Sequence, residues 1–163
     1  MNELLEKLSS YNLFNYLLPG VIFAIVAKQF LGLDLSQPDL LLAAFLYYFL
    51  GLIISRIGSL VVEPILKKVS FVKFSEYSKY VSAVQKDKTI ETLSEANNTY
   101  RTMIALFIVS LVVKGYLLLA SVVPFLETHS ALIVVLCATV LFLFSYRKQT
   151  SYVYKRIDSI LKS

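Results

Sequence analysis

Few side chains in this sequence have the type and spacing to do chemistry. There is one histidine, His129, and one cysteine, Cys137. No acidic residue stands at motif spacing from the histidine, and no second thiol exists. These counts exclude an intrachain disulfide and a cysteine-based zinc site, and leave a Ser-His or Cys-His nucleophile without its orienting acid. No GxGxxG, P-loop or GxSxG string occurs. The expectation is a non-enzyme with no catalytic residue, no cofactor and no metal.

The informative groups are instead polar residues set in apolar runs. Lys114 lies between Ser110-Leu111-Val112-Val113 and Gly115-Tyr116-Leu117. A cation at mid-bilayer costs at least about 2.5–3.5 kcal/mol. Lysine side chains also lean toward the helix N-terminus, which makes snorkelling from the centre hard. Two readings stay open. Lys114 lines a water-filled crevice or a pore shared between subunits, or it is a structural cation satisfied by carbonyls of neighbouring helices. Arg56 and Glu63 stand seven residues apart, on one face of a regular helix. They bond groups of adjacent helices, or they are an interfacial arginine and a helix end before Pro64. Gly51, Ser55 and Ser59 form a stripe of small residues with Gly58 beside it, which lets membrane helices approach closely. Asn12 and Asn15 share a face ahead of Pro19-Gly20, a pattern for interhelical amide bonds and a kink.

These residues need helices to hold them, and the composition says which kind. Of 163 residues, 57% are hydrophobic and 17% charged. A soluble domain carries about 45–50% apolar and about 25% charged residues. The apolar residues come in four blocks, at about 11–31, 39–62, 103–126 and 130–146. Each approaches the roughly 20 residues that a bilayer core of about 30 Å requires of a helix. The reading is an all-α polytopic membrane protein, one domain with four transmembrane helices. Met1-Asn2-Glu3 lacks the positive region of a cleavable signal, so the first block is expected to remain as a span.

Thirteen of the sixteen basic residues fall before the first block, between the second and third, or after the fourth. The positive-inside rule then places both termini and the long middle segment in the cytoplasm of a bacterial inner membrane. The net charge of +5 fits contact with anionic lipid at the inner surface and gives no sign of direct nucleic-acid binding. Residues 2–10 and the tail, 147–163, read as amphipathic helices at that surface. The segment at about 64–101 reads as a helical hairpin broken near residues 85–88, with its second helix running on into the third block. Phe74, Tyr77, Val81 and Val84 recur at helical spacing, as do Ile90, Leu93, Asn97 and Tyr100. Such short helices need a partner for their apolar faces. The hairpin is therefore the expected contact for a cytoplasmic protein.

Two strings, Tyr11-Asn12-Leu13-Phe14-Asn15-Tyr16-Leu17-Leu18-Pro19-Gly20 and Ile54-Ser55-Arg56-Ile57-Gly58-Ser59-Leu60-Val61-Val62-Glu63-Pro64, resemble small four-span proteins of bacterial anti-phage defence loci. Membrane subunits of Kiwa systems are the nearest named group. The resemblance implies an inner-membrane subunit that homo-oligomerises, senses envelope disturbance and recruits a cytoplasmic effector. It carries no catalytic residues. The expected function is a scaffold or sensor, with a Lys114-lined pore as the alternative.

Overall fold

The computed structural model describes residues 13–161. Asn12, the helix expected over residues 2–10 and the last two residues of the tail lie outside them. Helix α1 covers 13–31 without a break, as a π-helical turn Leu13–Leu17, an α-helical stretch Leu18–Val26 and a second π-helical turn Ala27–Leu31. It stops where Gly32 takes a φ of 76°, a left-handed conformation that costs glycine no steric strain. Helix α2, Leu40–Lys68, starts at Asp39, whose carboxylate accepts from the Leu42 N–H at 2.8 Å and so caps a free amide. There follow α3 (Tyr77–Lys86), α4 (Thr89–Ala120), α5 (Pro124–Thr128) and α6 (Ser130–Leu161). No strand occurs among the described residues.

Helices α2, α4 and α6 are long and apolar enough to cross a membrane. The apolar part of α1, Asn15–Leu31, has 17 residues, about 25 Å at 1.5 Å per residue. Large apolar side chains face outward along these helices, among them Leu40, Leu41, Leu111, Val112 and Leu143. A continuous apolar coat of this kind suits lipid, since soluble monomers expose far smaller patches.

Three boundaries differ from those the apolar blocks suggest. Helix α2 does not end before Pro64 but continues to Lys68, because a π-helical turn at Gly58–Val62 takes up the proline. Helix α4 ends at Ala120 rather than near 126, and Pro124 opens the separate short helix α5. The fourth block and the tail form one 32-residue helix, as no glycine or proline interrupts the sequence between them. The hairpin's second helix runs on into the third apolar block as the start of α4.

Helices α1, α2 and α4 pack around Phe23, Ala27, Ile54, Ala105 and Leu106. Backbones nearly touch where α1 crosses α2. A Cβ on Gly20 would overlap the Tyr47 carbonyl, and one on Gly51 would overlap the Tyr16 carbonyl. Helix α6 stands outside this trio, against α2, α3 and α5. Only 6% of its apolar window is buried.

Candidate functional site

The polar residues gather at the end of the bundle that carries most of the basic residues, and the π-helical turn in α2 organises them. Within that turn the Glu63 N–H donates to the Gly58 carbonyl five residues back. The next bond in that register would run from residue 64 to Ser59. Pro64 has no N–H to give, so the Ser59 carbonyl needs another donor. Lys148 of α6 supplies it, with Nζ 2.6 Å from the Ser59 carbonyl and 2.7 Å from Ser59 Oγ. The lysine thus bonds two oxygens on α2, one of them freed by the proline.

The same turn separates Arg56 from Glu63. One residue inserted into an α-helix rotates everything beyond it by about 100°. The two side chains therefore do not share a face, as a regular helix would have them do. Arg56 points to α1, where Nη2 lies 3.4 Å from the Tyr16 hydroxyl; the Tyr16 ring meets Tyr48 edge-on at 5.4 Å. Glu63 points to α4 and α6. Its carboxylate is 8% exposed and takes Arg101 Nη1 at 2.6 Å and Lys67 Nζ at 2.7 Å, with Lys148 Nζ at 4.0 Å. Burial pushes this carboxyl up, but Lys67, Lys148 and Arg101 outweigh that and hold it below the ordinary range. Burial holds the Lys148 ammonium below its ordinary range. Glu63 opposes that shift, while Arg101, Lys67 and Arg56 add to it.

The small-residue stripe is used within the chain. Gly51 meets α1, Gly58 meets Arg101 and Ala105 of α4, and Ser59 meets Lys148. Ser55 Oγ lies 3.4 Å from Thr102 Oγ1. The stripe brings together helices within this one chain.

Beyond Lys68 the chain turns back sharply. Ser70 adopts φ 58°, and the N–H groups of Ser70 and Phe71 cap carbonyls of Lys67 and Leu66. This reversal brings Phe71–Phe74 over the end of α2, where Phe74 lies 4.0 Å from Lys67 Nζ. Helix α3 follows, with Val81 buried and Tyr77 6.1 Å from Tyr152 of α6. Between the turn, α3, α4 and α6 lies a cavity of about 910 Å³. It contains Glu63 and Arg101 together with the hairpin residues Phe74, Tyr77, Ile90, Leu93, Asn97 and Tyr100. Val84 is partly buried on α3. Phe74, Leu93 and Tyr100 remain exposed.

Arg101, Lys148, Tyr16 and Thr102 are parts of the site that residue patterns did not single out. Lys67 alone had a local signal, as a lysine four residues after a glutamate on a helix. Arg101 and Lys148 carry only a weaker mark. Each lies within two residues of the end of an apolar block.

Lys114 and Asn15 lie apart from this cluster. Lys114 Nζ donates to the Phe30 carbonyl at 3.0 Å, one of the carbonyls left over where α1 ends. It sits six residues before α4 itself stops, about 9 Å from that end. This is the arrangement of a cation satisfied by a neighbouring helix. Lys114→Leu is expected to cost about 1 kcal/mol, the worth of an ordinary hydrogen bond, and to leave ion flux through liposomes unchanged. A loss of flux in that variant would restore Lys114 as a pore residue. Asn15 is buried against the bundle, and its Oδ1 has no hydrogen-bond partner among the described residues. Pro19 is buried beside it, at the start of the α-helical part of α1. Among the described residues no three His, Cys, Asp or Glu side chains stand close enough together to hold a metal ion.

The chain matches no family model, no curated protein and no solved structure.

Proposed function

We propose that the protein is a non-enzymatic membrane scaffold or sensor that presents its helical hairpin to a cytoplasmic protein. In this reading it crosses the inner membrane four times, with α1 as the shortest span and both termini on the basic, cytoplasmic side. The supporting observation is the uncovered hairpin face. Phe74, Leu93 and Tyr100 are 57%, 61% and 69% exposed; Leu93 and Tyr100 are carried on α4, which continues into the membrane bundle, and Phe74 lies in the reversal ahead of α3, outside the helix expected for it. At 1.5 Å per residue, the 14 residues of α4 ahead of Met103 reach about 21 Å beyond the apolar layer. A rigid lever of this kind transmits a displacement within the membrane to whatever is bound at its tip.

Assembly of several copies belongs to the same proposal. With the small-residue stripe of α2 occupied, the support for it is α6, whose apolar length is almost wholly uncovered. A setting in anti-phage defence rests on the two resembling strings alone.

The test is recovery of cytoplasmic protein by the tagged chain from native membranes, compared with Phe74→Ser/Leu93→Ser. The wild type should hold one partner that the variant loses at least tenfold, with particle size in lipid discs unchanged. Equal recovery by both proteins would remove the hairpin from the mechanism.

A further inference from the structure

Partner recruitment leaves the charge inside the hairpin cavity unexplained. Lys67, Lys73, Arg101 and Lys155 line it, and Glu63 is the one carboxylate among its lining residues. That carboxylate is already divided between Lys67 and Arg101, with Lys148 behind them at 4.0 Å. Arg101 uses Nη1 on Glu63, and its buried Nε has no partner among the described residues. A guanidinium has five donors arranged to meet paired oxygens. Positive charge therefore exceeds negative among the groups that line this cavity.

We infer that this cavity holds a phosphate-bearing anion, supplied in the membrane by the headgroup of an anionic phospholipid. The volume of about 910 Å³ is far larger than bare phosphate needs and lies within the ordinary ligand range of about 300–1,000 Å³. The walls change character along the cavity. Lys73 and Lys155 belong to segments outside the apolar blocks, while Ile104 belongs to the apolar stretch of α4. A headgroup with its acyl chains attached meets both surfaces at once. Phosphate oxygens face the cations, the glycerol lies along Tyr77 and Tyr152, and the chains leave past Ile104 into lipid. This inference rests on the membrane reading and is independent of any protein partner.

The experiment uses the full chain in discs of phosphatidylcholine with a minor fraction of phosphatidylglycerol, and native mass spectrometry of the lipids retained. Phosphatidylglycerol should stay bound after phosphatidylcholine has left. Lys73 and Lys155 are exposed and make no ion pair among the described residues, so Lys73→Gln/Lys155→Gln should fold normally. That variant should lose retention about fivefold per lysine and roughly twentyfold in all. Lys86→Gln/Lys88→Gln removes the same charge outside the cavity and should change retention little. Equal losses in the two pairs, or no preference between the lipids, would overturn the site. Glycerol 3-phosphate is added in a second arm. If it competes, the phosphate chemistry stands with a soluble ester as its source; if it does not, the lipid is the ligand. A protein that enters the discs but shows no lipid preference loses the anion and keeps its membrane role. One that stays monodisperse without lipid or detergent loses both.

Discussion

Gly51→Ala is expected to lower the unfolding free energy by about 3 kcal/mol, the upper part of the range for overpacking a close-packed interior. The obstacle is backbone. The added methyl would occupy the position of the Tyr16 carbonyl, and a carbonyl in the middle of a helix cannot turn aside as a flexible side chain can. Relief requires α1 and α2 to separate along the crossing. Gly20 stands at the same crossing against the Tyr47 carbonyl, so Gly20→Ala should cost a similar amount. Once one methyl has parted the helices the second adds less, and the double variant should fall short of the sum. Gly58 gives a milder case, because its nearest neighbours would be Ala105 Cβ and the Arg101 carbonyl at 3.3 Å. Gly115 is the control. Nothing lies within 4 Å of a Cβ there, and Gly115→Ala should gain up to about 1 kcal/mol from helix propensity. Unfolding in bicelles followed by circular dichroism orders the four. If Gly51→Ala behaves like Gly115→Ala, α1 and α2 do not cross where the glycines place them.

The crossing also sets the position of the polar site. Tyr16 lends its carbonyl to the contact with Gly51 and its hydroxyl to Arg56. Separation of α1 and α2 would draw Tyr16 away from both. A substitution in the apolar part of the bundle is thereby felt at Arg56.

Apolar block length was enough to read an all-helical chain with helices fit for a membrane. Block length is a property of composition, and lipid reads composition directly. The ends of the helices were harder to see. Pro64 looked like a terminus, since proline ordinarily breaks the bonding register. The helix passes it through a π-helical turn and a lysine eighty-four residues further on, and no local pattern announces either. That turn also undid the shared face of Arg56 and Glu63, which a spacing of seven guarantees only while every residue advances by 100°. The glycines of the stripe were legible as close-contact residues, but their partner was not. Small residues show that some backbone approaches, without showing whether it belongs to the same chain. Lys114 stood out because it is charged, and its carbonyl partner lies eighty-four residues away. Arg101 and Lys148 were hidden for the opposite reason. A basic residue at the end of an apolar block is already accounted for by topology, so its pairing leaves no additional trace.

Glu63→Gln is the second substitution with a large expected effect, a loss of about 3–5 kcal/mol near neutral pH. Glutamine keeps the shape and removes the charge that Arg101, Lys67 and Lys148 share. The three cations contribute unequally. Lys67 is 42% exposed, so its pair with Glu63 is worth no more than about 1 kcal/mol. Arg101 is 20% exposed against a carboxylate at 8%, and once unpaired it would be a partly buried cation without a counterion. Removing the pair together should therefore cost less than removing the acid alone. Glu63→Leu/Arg101→Leu is expected to recover more than half of the loss. Acid should erase the same difference. The folded carboxyl titrates below its ordinary value of 4.5, so its contribution is complete above that value. It disappears as pH falls through the lower folded value, because the unfolded chain then binds the proton first. Stability of the wild type and of Glu63→Gln, measured from pH 7 downward, should stay far apart until below about pH 4.5 and then converge. Parallel curves down to pH 2 would show that the charge of Glu63 does not hold α2 to α4.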